Sequence, residues 1–230
     1  MSKHPHDGLV HCRQATETVA EFLQRLPPST TKAEDVGPWI RIANRDCDIQ
    51  CDSKDIACLI ETGKKLLGSF AEKLAKFQAE HPKNQTEAAL TRKINAERRK
   101  QEADLLRVAH ENNVRIGKWM LFPSPKRVDE VWSAIAHAIA TGSLGVGAKV
   151  ATDSGNRGRR LICVYTNDIS DKEDIRRVLL KLVDMGLVEC TGRQIYYKCD
   201  AYSYLDIKSG NVWGLKPTMY SSTDIMARKW

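Results

Sequence analysis

The sequence has no apolar run long enough to form a membrane-spanning helix, which needs roughly 18 consecutive apolar residues. Its first residues, Met1-Ser2-Lys3-His4-Pro5-His6, also lack the apolar core of a secretory signal peptide. These absences argue against a membrane protein and against a secreted one. We therefore expect a cytoplasmic protein, with the nucleus as an alternative compartment and no membrane among its partners.

Cysteine is present, but without the pattern of a disulfide framework or of a zinc site. The chain has seven cysteines, an odd number, and they are scattered. Thiols in a reducing compartment are expected to stay reduced. Cys47 and Cys51 have the spacing of a zinc ligand pair, but no second close pair of Cys or His follows. Cys58 falls on the apolar face of a predicted helix and is expected to be buried. We expect no metal and no cofactor.

The short motifs of common enzyme families are missing. There is no G-x-S-x-G and no H-E-x-x-H. The glycine-rich stretch 142–149 resembles a phosphate-binding loop, but Lys149 comes one residue late, and Val150 occupies the position of the metal-binding hydroxyl. Catalytic residues also assemble from distant positions. We expect a non-catalytic protein and keep an enzyme with an unrecognised pocket as an alternative.

The composition is that of a basic globular protein. The chain has 230 residues, of which 42% are hydrophobic and 28% are charged, and its formal net charge is +7. A positive balance favours anionic partners such as nucleic acids and nucleotides.

The stretch 117–182 has the clearest pattern of secondary structure: strand, helix, two strands and helix. Ser124 is predicted to cap the first helix, with Pro125 in its first turn. Ser170 and Glu173 have the spacing of a capping box for the second helix. Helical spacing predicts two buried stripes, Val128, Val131, Trp132, Ile135 and Ile139 in the first helix, and Ile175, Val178, Leu179, Leu182 and Val183 in the second.

The rest of the chain predicts further helices and strands around this stretch. A short helix falls within 14–26, a strand follows at 38–42, and two long helices form a hairpin over about 54–113, the second capped by Asn84. After Gly186, the segments 187–190 and 194–199 predict an antiparallel hairpin, and 202–207 predicts a further strand. We expect a partly flexible N-terminal segment over 1–36 and a single α+β domain over 37–230.

The loop 153–160 is the main candidate for a binding site. Its two glycines allow the backbone to bend and to present N–H groups. Its arginines are planar donors suited to phosphate. The expected phosphate- or RNA-binding residues, including basic residues elsewhere in the chain, are Arg157, Arg159, Arg160, Lys126, Arg127 and Lys216.

Aromatic residues near the basic ones favour a single-stranded RNA ligand, because bases stack on aromatic rings while phosphates pair with arginine or lysine. Trp213 and Tyr202 are the candidate stacking residues. The alternative interpretation is an exposed charged hairpin tip beside an ordinary aromatic core. Trp119 and Trp132 follow the core pattern and are predicted to be structural.

Several segments carry a resemblance to known families. The segments 117–122 and 128–132 resemble the first strand and helix of the cap-binding translation initiation factor of the 4E type. The segments 37–40, 147–150, 197–205 and 211–218, together with 117–122, resemble the basophilic leukaemia expressed protein family. The resemblance implies a curved antiparallel sheet backed by helices, and it implies no activity. We expect this α+β domain to carry an N-terminal helical extension.

Cap binding does not follow from this resemblance. Cap-binding factors hold the methylated base between two tryptophans, a cation between two aromatic faces. The corresponding loops here, 123–127 and 152–159, contain no aromatic residue. The sequence therefore predicts an RNA- or nucleotide-binding protein without the tryptophan pair. The alternative is a protein-interaction module that uses the helical hairpin at 54–113, and the oligomeric state is not predicted.

Overall fold

The computed structural model describes residues 5–47, 53–79, 86–156, 158–189 and 192–229. These residues form eight helices and six strands. The chain divides into two compact units, the first with Met1–Ile49, Ile116–Lys198 and Tyr220–Trp230, the second with Gln50–Arg115 and Cys199–Met219. The single domain expected over 37–230 stays a prediction. Among the described residues, no helix combines the length and the apolar character that a bilayer-crossing segment requires.

The first unit is built on a six-stranded sheet. Its strands, in chain order, are β1 Trp39–Ala43, β2 Gly117–Leu121, β3 Gly147–Ala151, β4 Ile162–Thr166, β5 Tyr196–Cys199 and β6 Tyr220–Ser221. In space they follow the order β1-β3-β4-β2-β5-β6. The pairs β1–β3, β3–β4, β4–β2 and β5–β6 are antiparallel. The predicted α+β class, with a curved antiparallel sheet, is confirmed.

A row of side chains on one face of the sheet forms part of the core. In an antiparallel sheet, residues that lie opposite each other on neighbouring strands point to the same face. One such row crosses four strands and is buried throughout, and it consists of Ile42, Ala148, Val164 and Trp119. The indole N–H of Trp119 donates to the carbonyl of Ile175, 3.0 Å away. The buried row thus belongs to the core, and the structural role predicted for Trp119 is confirmed.

Helices of the first unit cover the sheet. They are α1 Val19–Arg25, α2 Ala33–Val36, α5 Val128–Ala140, α6 Lys172–Asp184 and α8 Ser222–Met226. The α5 helix packs against β1 and β3, α6 packs against β4, and α1 packs on α5. The rings of Phe22 and Trp132 meet edge to face at 6.3 Å between centroids. Both predicted buried stripes are confirmed, apart from the partly exposed Val183.

Both predicted helix starts are displaced toward the C-terminus. The α5 helix begins at Val128 with Arg127 at its N-cap, because Ser124 opens a turn in which its carbonyl accepts the Arg127 N–H at 3.0 Å. The α6 helix is capped by Asp171, whose carboxylate accepts the Asp174 N–H at 2.9 Å. The N–H of Ser170 is instead held by the Asp168 carboxylate at 2.7 Å. The predicted caps at Ser124 and Ser170 are therefore wrong.

The hairpin predicted after Gly186 is also wrong over its described part. Gly186 has φ +67°, and the N–H of Leu187 donates back to the carbonyl of Leu182 at 3.0 Å. This closes the end of α6 as a capping motif, so residues 187–189 are used to turn the chain and not to form a strand. The strand β5 pairs instead with the distant β6, with Tyr197 opposite Tyr220.

The second unit is helical. It contains α3 Ser53–Ala79, α4 Glu87–Glu111 and the short α7 Asp200–Tyr204, and the three helices pack against one another. The two long helices are as predicted, whereas the strand predicted at 202–207 is wrong because α7 and its closing turn occupy that segment. The Ile207 N–H donates to the Tyr202 carbonyl at 2.8 Å. Asn84, the predicted cap of α4, lies outside the described residues, and Thr86 occupies the N-cap position.

An arginine-lined cavity as the candidate binding site

The first unit contains a cavity of about 370 Å³ at the end of β2. Its walls come from β2 and the turn that follows, from the start of α5, from Arg159 in the loop before β4, and from the segment between α6 and β5. The lining residues are Leu121, Phe122, Pro123, Ser124, Arg127, Val131, Arg159, Gly186, Leu187, Val188, Glu189, Arg193, Gln194 and Ile195. The lining of the cavity therefore combines apolar and charged residues.

The charge of this lining is positive. It contains three arginines, Arg127, Arg159 and Arg193, whose side chains are all exposed, and one acidic residue, Glu189. Arg127 also donates to the Glu130 carboxylate from Nη2 and Nε, at 3.1 and 3.4 Å. These hydrogen bonds raise the pKa of the Arg127 guanidinium, which stays charged. Guanidinium groups that line one cavity suit a phosphate or carboxylate ligand.

The backbone holds Arg159 against the end of β2. The Nη1 of Arg159 donates to the carbonyl of Phe122 at 3.0 Å, and the next residue, Arg160, donates its N–H to the carbonyl of Pro123 at 3.0 Å. Two consecutive residues of the chain before β4 are thus bonded to two consecutive residues after β2. This pairing brings Arg159 to the rim of the cavity.

Arg160 occupies a different position from its neighbour. Its side chain is buried, with 6% of the residue exposed, and it is paired with the Asp153 carboxylate. Its Nη1 donates to the carbonyl of Asn156 at 3.0 Å. The guanidinium therefore closes the base of the loop 153–160 from inside, and it does not line the cavity. Arg157 lies outside the described residues.

The glycines of this loop do not present free N–H groups. The Gly155 N–H donates to the Asp153 carboxylate at 3.0 Å, and the Gly158 N–H donates to the Asn156 side chain at 2.9 Å. Such turns satisfy the backbone within the loop itself. The expectation that these glycines offer N–H groups to an anion is therefore wrong for both positions.

The other predicted site residues lie outside this lining. Lys126 is exposed beside Arg127, within the turn that precedes α5. Tyr202, Trp213 and Lys216 belong to the second unit. Tyr202 is buried, with 3% exposed, and Lys216 is exposed. The indole N–H of Trp213 donates to the carbonyl of Leu67 at 3.1 Å, so its polar edge is engaged within that unit.

Sequence reasoning missed several residues of the cavity. Phe122 is 42% exposed although it follows a buried strand, and it lies beside Arg159. The local sequence Phe122-Pro123-Ser124-Pro125-Lys126-Arg127 places an apolar ring close to basic residues, which is a usable signal. Arg193 has a local signal as a basic residue close to Tyr196 and Tyr197, but its place in the cavity depends on the fold.

The burial predicted for the Cys58 thiol is wrong. Cys58, expected to be buried on the apolar face of its helix, is exposed. The helical pattern predicted for α3 still holds at the next residue, because Leu59 is fully buried. Cys58 lies on the exposed side of the helix. Within the described ranges, no group of His, Cys, Asp and Glu could hold a metal ion, and Cys51 lies outside those ranges.

The family comparison agrees with the pattern of segments in the sequence. Residues 1–206 match the family described as basophilic leukemia-expressed protein Bles03. That description names no activity, and the likeness to the 4E-type factor stays a prediction. Because the match covers most of the 230 residues, the chain belongs to the Bles03 family.

Proposed function

We propose that this chain is a non-catalytic protein that binds a nucleotide or single-stranded RNA in the arginine-lined cavity. The observation that carries the proposal is the presence of three exposed arginines and one half-exposed phenylalanine, Phe122, around a single cavity. Arg127, Arg159 and Arg193 would hold phosphate oxygens. Arg160 holds its own loop and is left out of the proposed site.

The chemistry of the lining supports a ligand with both an anionic and a planar part. Guanidinium groups bind phosphate with paired hydrogen bonds. An aromatic ring offers a stacking face to any base, which is why single-stranded nucleic acids are bound by interleaved aromatic and basic residues. Phe122 takes the stacking role here that the sequence assigned to Trp213 and Tyr202. The volume of about 370 Å³ lies within the usual range for small-molecule sites.

The test measures binding of two probes to the full chain. One probe is a fluorescently labelled single-stranded RNA, and the other is a labelled adenosine or guanosine nucleotide. The cavity variant carries Arg127→Gln, Arg159→Gln and Arg193→Gln. The control variant carries Arg92→Gln, Arg99→Gln and Arg107→Gln, three exposed arginines of α4, so that both variants lose the same charge.

We expect the cavity variant to lose at least tenfold in affinity for one or both probes, since each lost phosphate contact removes a charge-assisted hydrogen bond. The control variant should lose far less. Equal losses in the two variants would show that only net charge matters and would overturn the proposed site. If the unmodified chain binds neither probe, the alternative of a protein-interaction surface on α3 and α4 is favoured.

A further inference from the structure

Ser124 has a sequence context that occurs nowhere else in this chain. It is the one serine or threonine of the 230 residues that directly precedes a proline. Two basic residues, Lys126 and Arg127, follow that proline. Proline-directed protein kinases choose a hydroxyl residue by the proline after it, and many of them favour a basic residue shortly beyond. The local sequence is therefore that of a substrate for this class of kinase.

The structure places this serine in the wall of the cavity. Ser124 lies in the turn between β2 and α5, is partly exposed, and lines the cavity together with Arg127, Arg159 and Arg193. The turn is held by the hydrogen bond from the Arg127 N–H to the Ser124 carbonyl at 3.0 Å. The guanidinium of Arg159 is bonded to the carbonyl of Phe122, two residues before the serine.

A phosphate on this serine would meet a positive environment that already exists. A phosphoserine carries about −1.5 to −2 charges near neutral pH and offers three acceptor oxygens. Placed opposite an arginine cluster, it forms charge-assisted hydrogen bonds with guanidinium groups. Of the charged residues that line the cavity, three are arginines and one, Glu189, is acidic. Arg127 is also paired with Glu130 outside the lining, so the net attraction for a phosphate comes from the excess of the three arginines over the two carboxylates Glu130 and Glu189.

We propose that Ser124 is a phosphorylation site whose phosphate is held by Arg127, Arg159 and Arg193 and thereby occupies the cavity. In the transfer from ATP, the bond between the γ-phosphorus and the oxygen that leaves with ADP breaks. A bond between the Ser124 Oγ and that phosphorus forms, and the hydroxyl proton is released to the solvent. Phosphorylation then blocks the cavity to an external phosphate ligand, and this last consequence rests on the proposed function.

The first test concerns the phosphate itself and needs no external ligand. The full chain is treated with a proline-directed kinase and ATP, and the modified position is identified by mass spectrometry. We expect one phosphate at Ser124, its loss in Ser124→Ala, and its retention in Ser154→Ala, which alters an exposed serine that does not line the cavity. Failure of the folded chain to accept phosphate at Ser124 would overturn the inference.

The phosphate is then titrated by phosphorus NMR. In the folded phosphoprotein it should titrate with a pKa below that of the same protein unfolded in urea, which is about 6, because nearby guanidinium groups favour the dianion. Arg159→Gln should move the folded pKa back toward the unfolded one, and Arg99→Gln should leave it unchanged. Identical pKa values in the folded and unfolded phosphoprotein would overturn the inference.

The second test uses the labelled RNA and nucleotide probes. If the unmodified chain binds a probe, the stoichiometrically phosphorylated chain should bind it at least tenfold more weakly. Unchanged binding would overturn the claim that the phosphate occupies the cavity. If the NMR result holds and the unmodified chain binds neither probe, the phosphorylation site stands, and the proposed nucleotide or RNA binding fails.

Discussion

The buried guanidinium of Arg160 is paired with the carboxylate of Asp153, and this pair closes the loop between β3 and β4. The adjacent Arg159 is exposed and contributes to the cavity rim. Two neighbouring arginines therefore have different environments, one buried inside the loop and one exposed in the wall of the cavity. This difference leads to distinct expectations for stability and for binding.

Replacing Arg160 is expected to destabilise the protein. Arg160→Gln leaves the Asp153 carboxylate without its charged partner and removes the bond to the Asn156 carbonyl, so the free energy of unfolding should fall by about 2 kcal/mol. Arg159→Gln should change it by under about 1 kcal/mol, because that side chain is exposed. Urea unfolding followed by circular dichroism measures both variants. Similar losses in the two would contradict the structural role of Arg160.

The contribution of Asp153 to the free energy of unfolding should depend on pH. The Gly155 N–H and then the Arg160 guanidinium lower the pKa of the Asp153 carboxyl from its ordinary value of 3.8. Because this pKa is lower in the folded state than in the unfolded state, the ionised Asp153 carboxylate stabilises the folded protein above pH 3.8. This stabilisation disappears as the pH falls through the folded-state pKa. The stability difference between wild type and Asp153→Asn should therefore be largest near neutral pH and should shrink below 3.8. Thermal unfolding across this range provides the test, and a pH-independent difference would contradict it.

The contact between Gly117 and Tyr197 predicts a severe effect of adding a single methyl group. A Cβ at Gly117 would overlap the Tyr197 hydroxyl and would lie 2.8 Å from its ring carbon Cε1. That hydroxyl forms a buried hydrogen bond of 2.5 Å with the Thr166 side chain. Gly117→Ala should lower the free energy of unfolding by about 2 kcal/mol. Tyr197→Phe should lower it by about 1–2 kcal/mol, because the Thr166 hydroxyl loses a partner.

The neighbouring tyrosine provides the control for this experiment. Tyr196 is 43% exposed, so Tyr196→Phe removes the same atom from a solvated position and should be nearly neutral. Chemical unfolding of the three variants under identical conditions measures the effect. Equal stability of Tyr196→Phe and Tyr197→Phe would show that the buried hydrogen bond adds nothing.

The proposed phosphate contacts predict a salt dependence for RNA binding. For single strands, each neutralised phosphate contributes about 0.7 to the slope of log affinity against log salt. Arg159→Gln and Arg193→Gln should each reduce the slope by about that amount, whereas Arg99→Gln should leave it unchanged. Fluorescence anisotropy over a series of salt concentrations supplies the slopes. A slope unaffected by either cavity substitution would remove those arginines from the phosphate contacts.

The ring of Phe122 should contribute to the binding of the base and not to the binding of the phosphate. Phe122→Ala removes the stacking face and should weaken RNA or nucleotide binding by about 1–3 kcal/mol. Inorganic pyrophosphate, which has no base, should compete equally well in the variant and in wild type. Tyr196→Ala, which changes another half-exposed aromatic residue outside the cavity lining, is the control. An equal loss of affinity for pyrophosphate in Phe122→Ala would indicate that Phe122 only shapes the cavity.

The helices and strands whose pattern lies within their own segment of sequence were predictable. The strands β1 to β4, both long helices of the second unit and the buried stripes of α5 and α6 follow from periodicity, which each segment carries in itself. Helix starts were less predictable, because several polar residues compete for one cap. At α6, Ser170 and Asp171 are both suitable N-cap residues. Asp171 is the N-cap in the structure, and the Ser170 N–H donates to the Asp168 carboxylate instead.

Errors occurred where distant residues decide the structure. The pairing of β5 with β6 joins residues that are far apart in the chain, and no local pattern records it. The stacking role assigned to Tyr202 depended on exposure, which burial in the second unit removes. The loop of arginines appeared uniform in sequence, yet only the fold reveals that Arg160 is internal and Arg159 is external.

The order of local residues alone determined the secondary structure of most of this chain, its basic character and its family, because propensity, periodicity and composition are properties of neighbouring residues. Tertiary structure alone decided which cations share a cavity. Arg127, Arg159 and Arg193 come from three separate parts of the chain. Arg159 is placed by hydrogen bonds from the segment before β4 to the carbonyls of Phe122 and Pro123, and these bonds between distant parts of the chain exist only once the sheet has formed.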